Sequence, residues 1–308
     1  MIPVLALLLD AVLGDPKSLW SKIPHPAVAM GRVIGWLDQR FNDDDDPDST
    51  RKVNGILVCI TLVVTAGILG CIITHLPLGW FWSALIGAFL LAQRSLVQHV
   101  QAVADGLRMS TRDGATMVSR IVGRDTKDMS RAGVSRAAIE SAAENFSDGL
   151  VAPVFWFIIG GLPGLLIYKV VNTADSMIGY RTPRHSAFGW AAARLDDVLN
   201  WIPARLTALI ILVATQTRTS FNDIRNDAIK HRSPNAGWPE AAMARALNVA
   251  LSGPRSYEGE MRDFPWVNEN GRKDIGPGEV EAACNTLWHS WVVVVAIAFA
   301  LAMICAIG

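Results

Sequence analysis

The sequence predicts an all-α, polytopic integral membrane protein with broken or re-entrant helices and cytoplasmic helical segments. Three observations carry this. The chain is 51% hydrophobic and only 18% charged, with a mean hydropathy of +0.29, which is too apolar for the two soluble domains that 308 residues could otherwise make. Several apolar runs approach or exceed the roughly 20 helical residues that a bilayer core about 30 Å thick requires. The remaining polar residues concentrate in one stretch, 123–205, beside and between interrupted apolar runs. Lysine plus arginine and aspartate plus glutamate each number 28, so no net basic field exists for nucleic acid and that partner class is set aside.

Each element follows in order. The opening run MIPVLALLLDAVLGDP lacks a basic leader and carries Asp10 in its apolar part, so it reads as a retained helix and not as a signal peptide. A carboxylate at a helix centre in lipid costs ~2.5–3.5 kcal/mol, so Asp10 is expected to face protein or water. The acidic run Asp43 to Asp46 with Pro47 reads as a solvated linker and not a metal site. Segments of about 53–76 and 79–97 form a predicted hairpin of two spans around Pro77, with Trp80 and Trp82 at a headgroup boundary. Segment 98–148 holds Arg108, Arg112, Arg120, Arg124, Lys127, Arg131 and Arg136, whereas the 75–79 turn holds no lysine or arginine. The positive-inside rule therefore makes 98–148 cytoplasmic and places residues 1–52 on the same side.

Residues 150–171 are interrupted by Gly160, Gly161, Pro163 and Gly164, which suits a helix-turn-helix that enters and leaves on one face. If 150–171 and 203–216 are both re-entrant, the loop between them is cytoplasmic; if both cross, it is outside, and parity allows either. Segment 217–286 is expected to be cytoplasmic. It contains a turn from Ser233 to Gly237, an amphipathic helix begun near Pro239-Glu240 that reads as a lid or a plain surface helix, and a turn at Gly253-Pro254. A last span of about 287–307 closes a single embedded catalytic domain over 1–308. The four cysteines lack metal-ligand spacing; Cys59 and Cys71 would lie roughly 18 Å apart on a straight helix, and all four read as small core residues.

Three polar clusters stand out. In GVSRAAIESAAENFSDG, Ser135 is an expected N-cap, and a helix from there places Glu140, Glu144 and Asp148 at i, i+4 and i+8 with Asn145 beside them. In YKVVNTADSMIGYRT, Asn172, Asp175 and Ser176 share a face with Lys169 one turn back. In AARLDDVLNWIPAR, Asp196, Asp197 and Asn200 lie on adjoining faces between Arg194 and Arg205. Like charges at i, i+4 repel, so magnesium or arginine should neutralise them. Carboxylates with amides suit a magnesium ion that completes its shell from phosphate oxygens, while arginine and lysine contact the phosphates themselves. Taken singly, Asn172, Ser176 and Asn200 also fit plain interhelical hydrogen bonding. No P-loop, nucleophile elbow or zinc motif occurs, and the six histidines are scattered.

These stretches, together with LLLDAVLGDP followed by His25-Pro26, GRDT at 123–126, FGWAAARLDDVLNWIPARLT at 188–207 and SPNAGWPEAAMARAL at 233–247, resemble the CbiB/CobD family of adenosylcobinamide-phosphate synthases. The similarity runs in order along nearly the whole chain. The acidic linker at 41–50 and an insertion at 263–278 look peculiar to this sequence and peripheral. The resemblance implies a multi-pass cytoplasmic-membrane enzyme of late cobalamin biosynthesis. It would join adenosylcobyric acid to (R)-1-aminopropan-2-ol O-phosphate, or to aminopropanol, in an ATP-dependent carbon-nitrogen ligation, with an acyl phosphate as the expected intermediate. ATP and Mg²⁺ are the expected cofactors, and the lipid bilayer is a standing partner. Whether the chain is a homo-oligomer or joins other corrinoid enzymes stays open.

On this reading Glu140, Glu144, Asp148, Lys169, Asp175, Asp196 and Asp197 are the candidate catalytic residues. Glu144, Asp148, Asp175, Asp196 and Asp197 double as metal ligands or a general base. Arg124, Asn145, Asn172, Ser176, Tyr180, Arg181, Arg194 and Asn200 are the candidate contacts for ATP and substrate. Two other classes compete. A magnesium-dependent phospho- or prenyltransferase would explain Asn172-x-x-Asp175 and Asp196-Asp197 but should carry a second complete aspartate motif. A non-enzymatic corrinoid transporter or scaffold would explain buried polar residues but should show internal repeats.

Overall fold

The computed structural model describes residues 1–16, 20–22, 24–123, 125–257 and 260–307, and of 255–257, 260–262 and 307 only the backbone. In chain order the helices are α1 (Ile2–Leu13), α2 (Pro26–Phe41), α3 (Asp48–His75), α4 (Gly79–Leu90), α5 (Gln93–Met109), α6 (Thr111–Val118) and α7 (Arg131–Phe146). A π-helical turn, Ser147–Val151, leads into α8 (Ala152–Ile178), followed by α9 (Trp190–Leu199), α10 (Trp201–Ala214), α11 (Phe221–Ala228), α12 (Gly237–Leu247) and α13 (Pro277–Ile307). Two-stranded pairings of only two or three residues, Leu251–Ser252 with Trp266–Val267 and Arg255–Tyr257 with Glu260–Arg262, interrupt the helices, so the architecture is all-α. Among the described residues, four helical runs are long and apolar enough to cross a membrane, or five if α9 and α10 count as one broken span.

The chain resolves into two compact units, where the sequence suggested one embedded domain. Unit 1 comprises residues 1–92 and 152–200; unit 2 comprises 93–151 and 201–308.

Unit 1 is built around α3. At 28 residues this helix is about 42 Å long, more than the bilayer core needs. Val53, Leu57, Ile60, Val64, Ile68 and Ile72 stay exposed for lipid, while Gly55, Val58, Leu62, Ala66 and Gly70 are buried. The glycines exist because backbones meet there. A Cβ on Gly70 would stand 2.5 Å from Pro163 Cα, one on Gly67 would touch Ile167, and one on Gly55 would run into the Phe188 carbonyl. The pairing order makes α3 antiparallel to the chain from 163 to 188. Asp10 is 2% exposed in α1, which packs on α4 and α8, so protein and not lipid surrounds it.

The GGLPG stretch does fold the chain back. Gly161 has φ 59° and ψ −156°, and a Cβ on Gly164 would stand 2.5 Å from the Trp156 carbonyl oxygen, eight residues back and about 12 Å away in a straight helix. Gly161 therefore divides α8 into two arms. Only glycine holds this backbone region cheaply, so Gly161→Ala is expected to destabilise the protein by about 1–3 kcal/mol in thermal unfolding. Gly160→Ala, which meets open space, should be close to neutral.

In unit 2, α5 packs on α6, α7 and α13, and α12 packs on α7, α10 and α11. Several expectations are corrected here. α4 ends at Leu90 and a new helix starts at Gln93, yet the two together, 79–109, make one run long and apolar enough to cross a membrane, which takes in the expected 79–97 span with an interruption at 91–92. The last helix begins at Pro277, ten residues before the expected span, because Glu279 and Arg272 cap its start and Arg108 of α5 pairs bidentately with Glu281. The segment read as a lid or surface helix is a core element: Gly237 through Ala244 are all buried. The 263–278 insertion is woven in, since Trp266-Val267 pairs with Leu251-Ser252 and the Trp266 ring lies under the Arg136 and Lys273 cations. Among the cysteines, Cys71 and Cys305 are exposed on apolar helices, so only Cys59 and Cys284 are core residues.

Candidate functional site

One end of unit 1 gathers most of the candidate residues. The loop after α8 is fastened to the segment that opens α3. Arg51, 6% exposed, donates to Asn42 Oδ1 at 2.9 Å and to the carbonyls of Pro183 and Arg184. Asn42 Nδ2 donates to Asp38 at 2.7 Å and to the Arg184 carbonyl at 3.0 Å, while Arg184 reaches Asp44 at 2.9 Å and Asp38 at 3.3 Å. The acidic run is thus not merely a solvated linker, because Asp44 pairs with two arginines. The 182–190 loop therefore lies at the same end of unit 1 as residues 42–55. Composition alone could not settle that relation.

Beside this loop, α8 and α9 carry a polar ladder. Asp196 is 9% exposed; its Oδ1 accepts from Asn172 Nδ2 at 3.2 Å and its Oδ2 from Asn200 Nδ2 at 3.0 Å. Asn200 Oδ1 in turn accepts the Tyr168 hydroxyl at 3.0 Å. Lys169 and Asp197 both lie within electrostatic reach of Asp196. Asp197 is half-buried, faces Arg194 at 3.5 Å and lies within reach of Arg181. A pair so exposed on the arginine side contributes little stability and leaves the cation available. Asp175 is half-buried with Gly179 passing directly against its carboxylate, the exposed Ser176 donates to the Asn172 carbonyl at 2.9 Å, and Tyr180 and Arg181 are exposed on the loop. A carboxylate with both oxygens held by amides, next to a second acid, a lysine and two arginines, can hold a cation or receive a proton and still meet phosphate oxygens.

The remaining candidates belong to unit 2. Ser130, not Ser135, caps α7, its hydroxyl accepting from Gly133 N–H at 3.1 Å; Ser135 lies inside the helix and donates to the Arg131 carbonyl. Glu140 is 7% exposed and accepts the Ser252 N–H at 2.7 Å, which pins strand Leu251–Ser252 to α7. Glu144 and Asn145 are exposed, Asn145 bonding Ser141. The π turn is wider than an α turn and takes the half-buried Asp148 off the expected i+8 position. Arg124 lies outside the described residues. Among the described residues, no group of three or more His, Cys, Asp or Glu is placed to hold a metal ion.

Two polar anchors, one in each unit, were not among the candidate site residues singled out from the sequence. Tyr168 stands one turn before Asn172, a spacing that stepping back by four would have found. Arg205, at the edge of the third cluster, lies between the rings of Trp201 and Trp238, 4.5 and 4.6 Å from their centroids, and donates to Asn235 Oδ1 at 3.2 Å. Only the fold brings 201–205 and 235–238 together.

The profile of the family described as CobD/Cbib protein matches residues 3–287. A protein named cobalamin biosynthesis protein CobD from Brucella anthropi is 46% identical over 97% of this chain and 96% of its own length. Proteins of the same name from Brucella suis and Rhodobacter capsulatus are 47% and 46% identical, covering 93% and 86% of this chain and 91% and 85% of theirs. No solved structure matches the chain. On this evidence the chain belongs to the CobD/Cbib protein family.

Proposed function

We propose that the protein acts in cobalamin biosynthesis as an ATP-dependent carbon-nitrogen ligase. It would join adenosylcobyric acid to (R)-1-aminopropan-2-ol O-phosphate, or to aminopropanol, to give adenosylcobinamide phosphate. The name shared by its relatives supports the pathway. The observation that carries the chemistry is the buried Asp196, held by Asn172 and Asn200 and faced by Lys169 and Asp197, with Arg181 and Arg194 close by.

An amine does not displace oxide from a carboxylate at neutral pH. The substrate carboxylate oxygen first attacks the γ-phosphorus of ATP and expels ADP; the amine then attacks the acyl carbon and expels phosphate. Arg181 and Arg194 offset the charge gathered on the phosphates, and Lys169 steadies the developing oxyanion. Asp196 or Asp175 takes the proton that the ammonium must lose before or during attack. The donor set fits Mg²⁺ in one way. With no group of three carboxylates among the described residues, the ion would use Asp196 and Asp197 and complete its octahedron from phosphate oxygens and water. When bound, it supplies Lewis-acid polarisation of the transferred phosphoryl group.

Purified protein supplied with ATP, Mg²⁺, adenosylcobyric acid and aminopropanol phosphate should yield the amide and ADP; no amide with every component present removes the reading. The charge pattern of 98–148 supports a cytoplasmic placement of the site. A cysteine at the exposed Ser186 should then label only from the cytoplasmic face, and exclusively periplasmic labelling would overturn the orientation.

A further inference from the structure

The orientation of Asp196 is not set by Asp196 alone. A carboxylate only accepts, so the amide of Asn200 must turn its Nδ2 toward Asp196 Oδ2, 3.0 Å away, and its Oδ1 elsewhere. Flipped, that amide would set oxygen against oxygen at the same distance. Asn200 is 1% exposed, so bulk water does not settle the choice. What settles it is the Tyr168 hydroxyl, itself on a 1% exposed side chain, donating to Asn200 Oδ1 at 3.0 Å. The residues form a two-rung ladder between antiparallel stretches of α8 and α9. Tyr168 and Asn172 stand one turn apart on one helix, Asp196 and Asn200 one turn apart on the other. Three donors point the same way, Tyr168 to Asn200, Asn200 to Asp196 and Asn172 to Asp196, and the series ends on the carboxylate. Bonds to an ionised acceptor are the strong ones, so the ladder gains most when Asp196 is charged.

We propose that Tyr168 and Asn200 are positioning residues that lock the Asp196 carboxylate in one orientation, one lone pair of each oxygen engaged by an amide and the other left for the reaction. The effect on turnover rests on the proposed ligase reading; the effect on structure does not.

The test uses the full chain in detergent or nanodiscs. Tyr168→Phe, which keeps the ring, should lower kcat by about 10- to 100-fold, the range seen when an outer hydrogen-bond partner of a functional ligand is lost, with KM for ATP and amine within about twofold. In an Asp196→Asn background the same change should lower kcat no further. The exchanged pair Asp196→Asn with Asn200→Asp keeps an amide-to-carboxylate bond and an acceptor for Tyr168 but moves the charge by one turn. It should regain the melting temperature lost in either single variant and none of the turnover. Wild-type kcat in Tyr168→Phe, or an active exchanged pair, overturns the inference. If the wild type makes no amide, the ligase reading falls and the inference is judged on thermal unfolding alone. There the losses from Tyr168→Phe and Asp196→Asn, residues linked through Asn200, must be non-additive, and additive losses refute it.

Discussion

Asp196→Asn is expected to lower the amide-forming turnover by about 100- to 10,000-fold, the span associated with removing a positioned acid-base group. The substitution keeps the size of the side chain and replaces one accepting oxygen by a donating nitrogen. One of the two amides that bond Asp196, Asn172 or Asn200, then meets a donor instead of an acceptor. That mismatch costs about 1–3 kcal/mol of stability, which a protein of this size survives. The diagnostic result is therefore a large kinetic loss in protein that still inserts in the membrane and unfolds cooperatively. Asp175→Asn should behave likewise. Near-normal kcat in both variants would remove the acid-base and metal roles from this ladder.

The largest structural effect is expected at Arg51. Its guanidinium is the common partner of Asn42 and of the Pro183 and Arg184 carbonyls, and it also pairs with Asp44 and Asp48. Asp44 and Asp48 are exposed and keep their water, so those ion pairs contribute little. Asn42, 2% exposed, does not keep its water. Leaving its Oδ1 without a donor costs about 1–3 kcal/mol, and loss of the contacts to the Pro183 and Arg184 carbonyls adds to it, although Arg184 keeps the Asn42 amide, so Arg51→Met should lose about 2–4 kcal/mol in thermal unfolding. Arg51→Lys, with the charge but not the forked geometry, should fall between. Because the loop so held carries Tyr180 and Arg181, activity should drop at temperatures where the protein is still folded. An Arg51→Met protein with an unchanged melting temperature would show that the 182–189 loop is held by other means.

What was legible in the sequence followed from patterns that local physics fixes. A 24-residue uncharged run at 53–76 can hardly be anything but a long apolar helix, and glycines around Pro163 announce a fold-back wherever they fall in such a run. The residues of the ladder were legible as types, acids and amides one turn apart, and Asn172, Asp196 and Asn200 do meet. The less legible features depended on distant partners. Ser135 reads as a cap on paper, but α7 starts one turn and more earlier, on Ser130, and takes Ser135 into its interior. The π turn at 147–151 leaves no mark in composition, yet it displaces Asp148. The 237–247 helix, which carries Glu240 and Arg245, read as an amphipathic lid or surface helix. Arg245 pairs with Asp227 and Glu240 lies 3.6 Å from the His231 ring, and with those polar partners supplied by the fold the helix sits inside. The acidic run Asp43 to Asp46 looked like a plain solvated linker because one of the two arginines that meet Asp44 is 140 residues away.

The fold-back at Gly161 also decides which helix ends surround the ladder. It sends the second arm of α8 toward the 182–190 loop carboxyl end first, so that Asp175 lies in its last turn, and Asp196 lies in the last turn of α9. Peptide dipoles leave partial negative charge at such ends, and an acid placed there is disfavoured by about 0.3–1 kcal/mol. Because α8 and α9 run antiparallel, the two electronegative termini point opposite ways, α8 toward the 182–190 loop and α9 back toward Tyr168, and each acid sits in the partial negative charge of its own helix end. In the language of dipoles, each carboxylate is held where a proton or a cation is favoured and further negative charge is not.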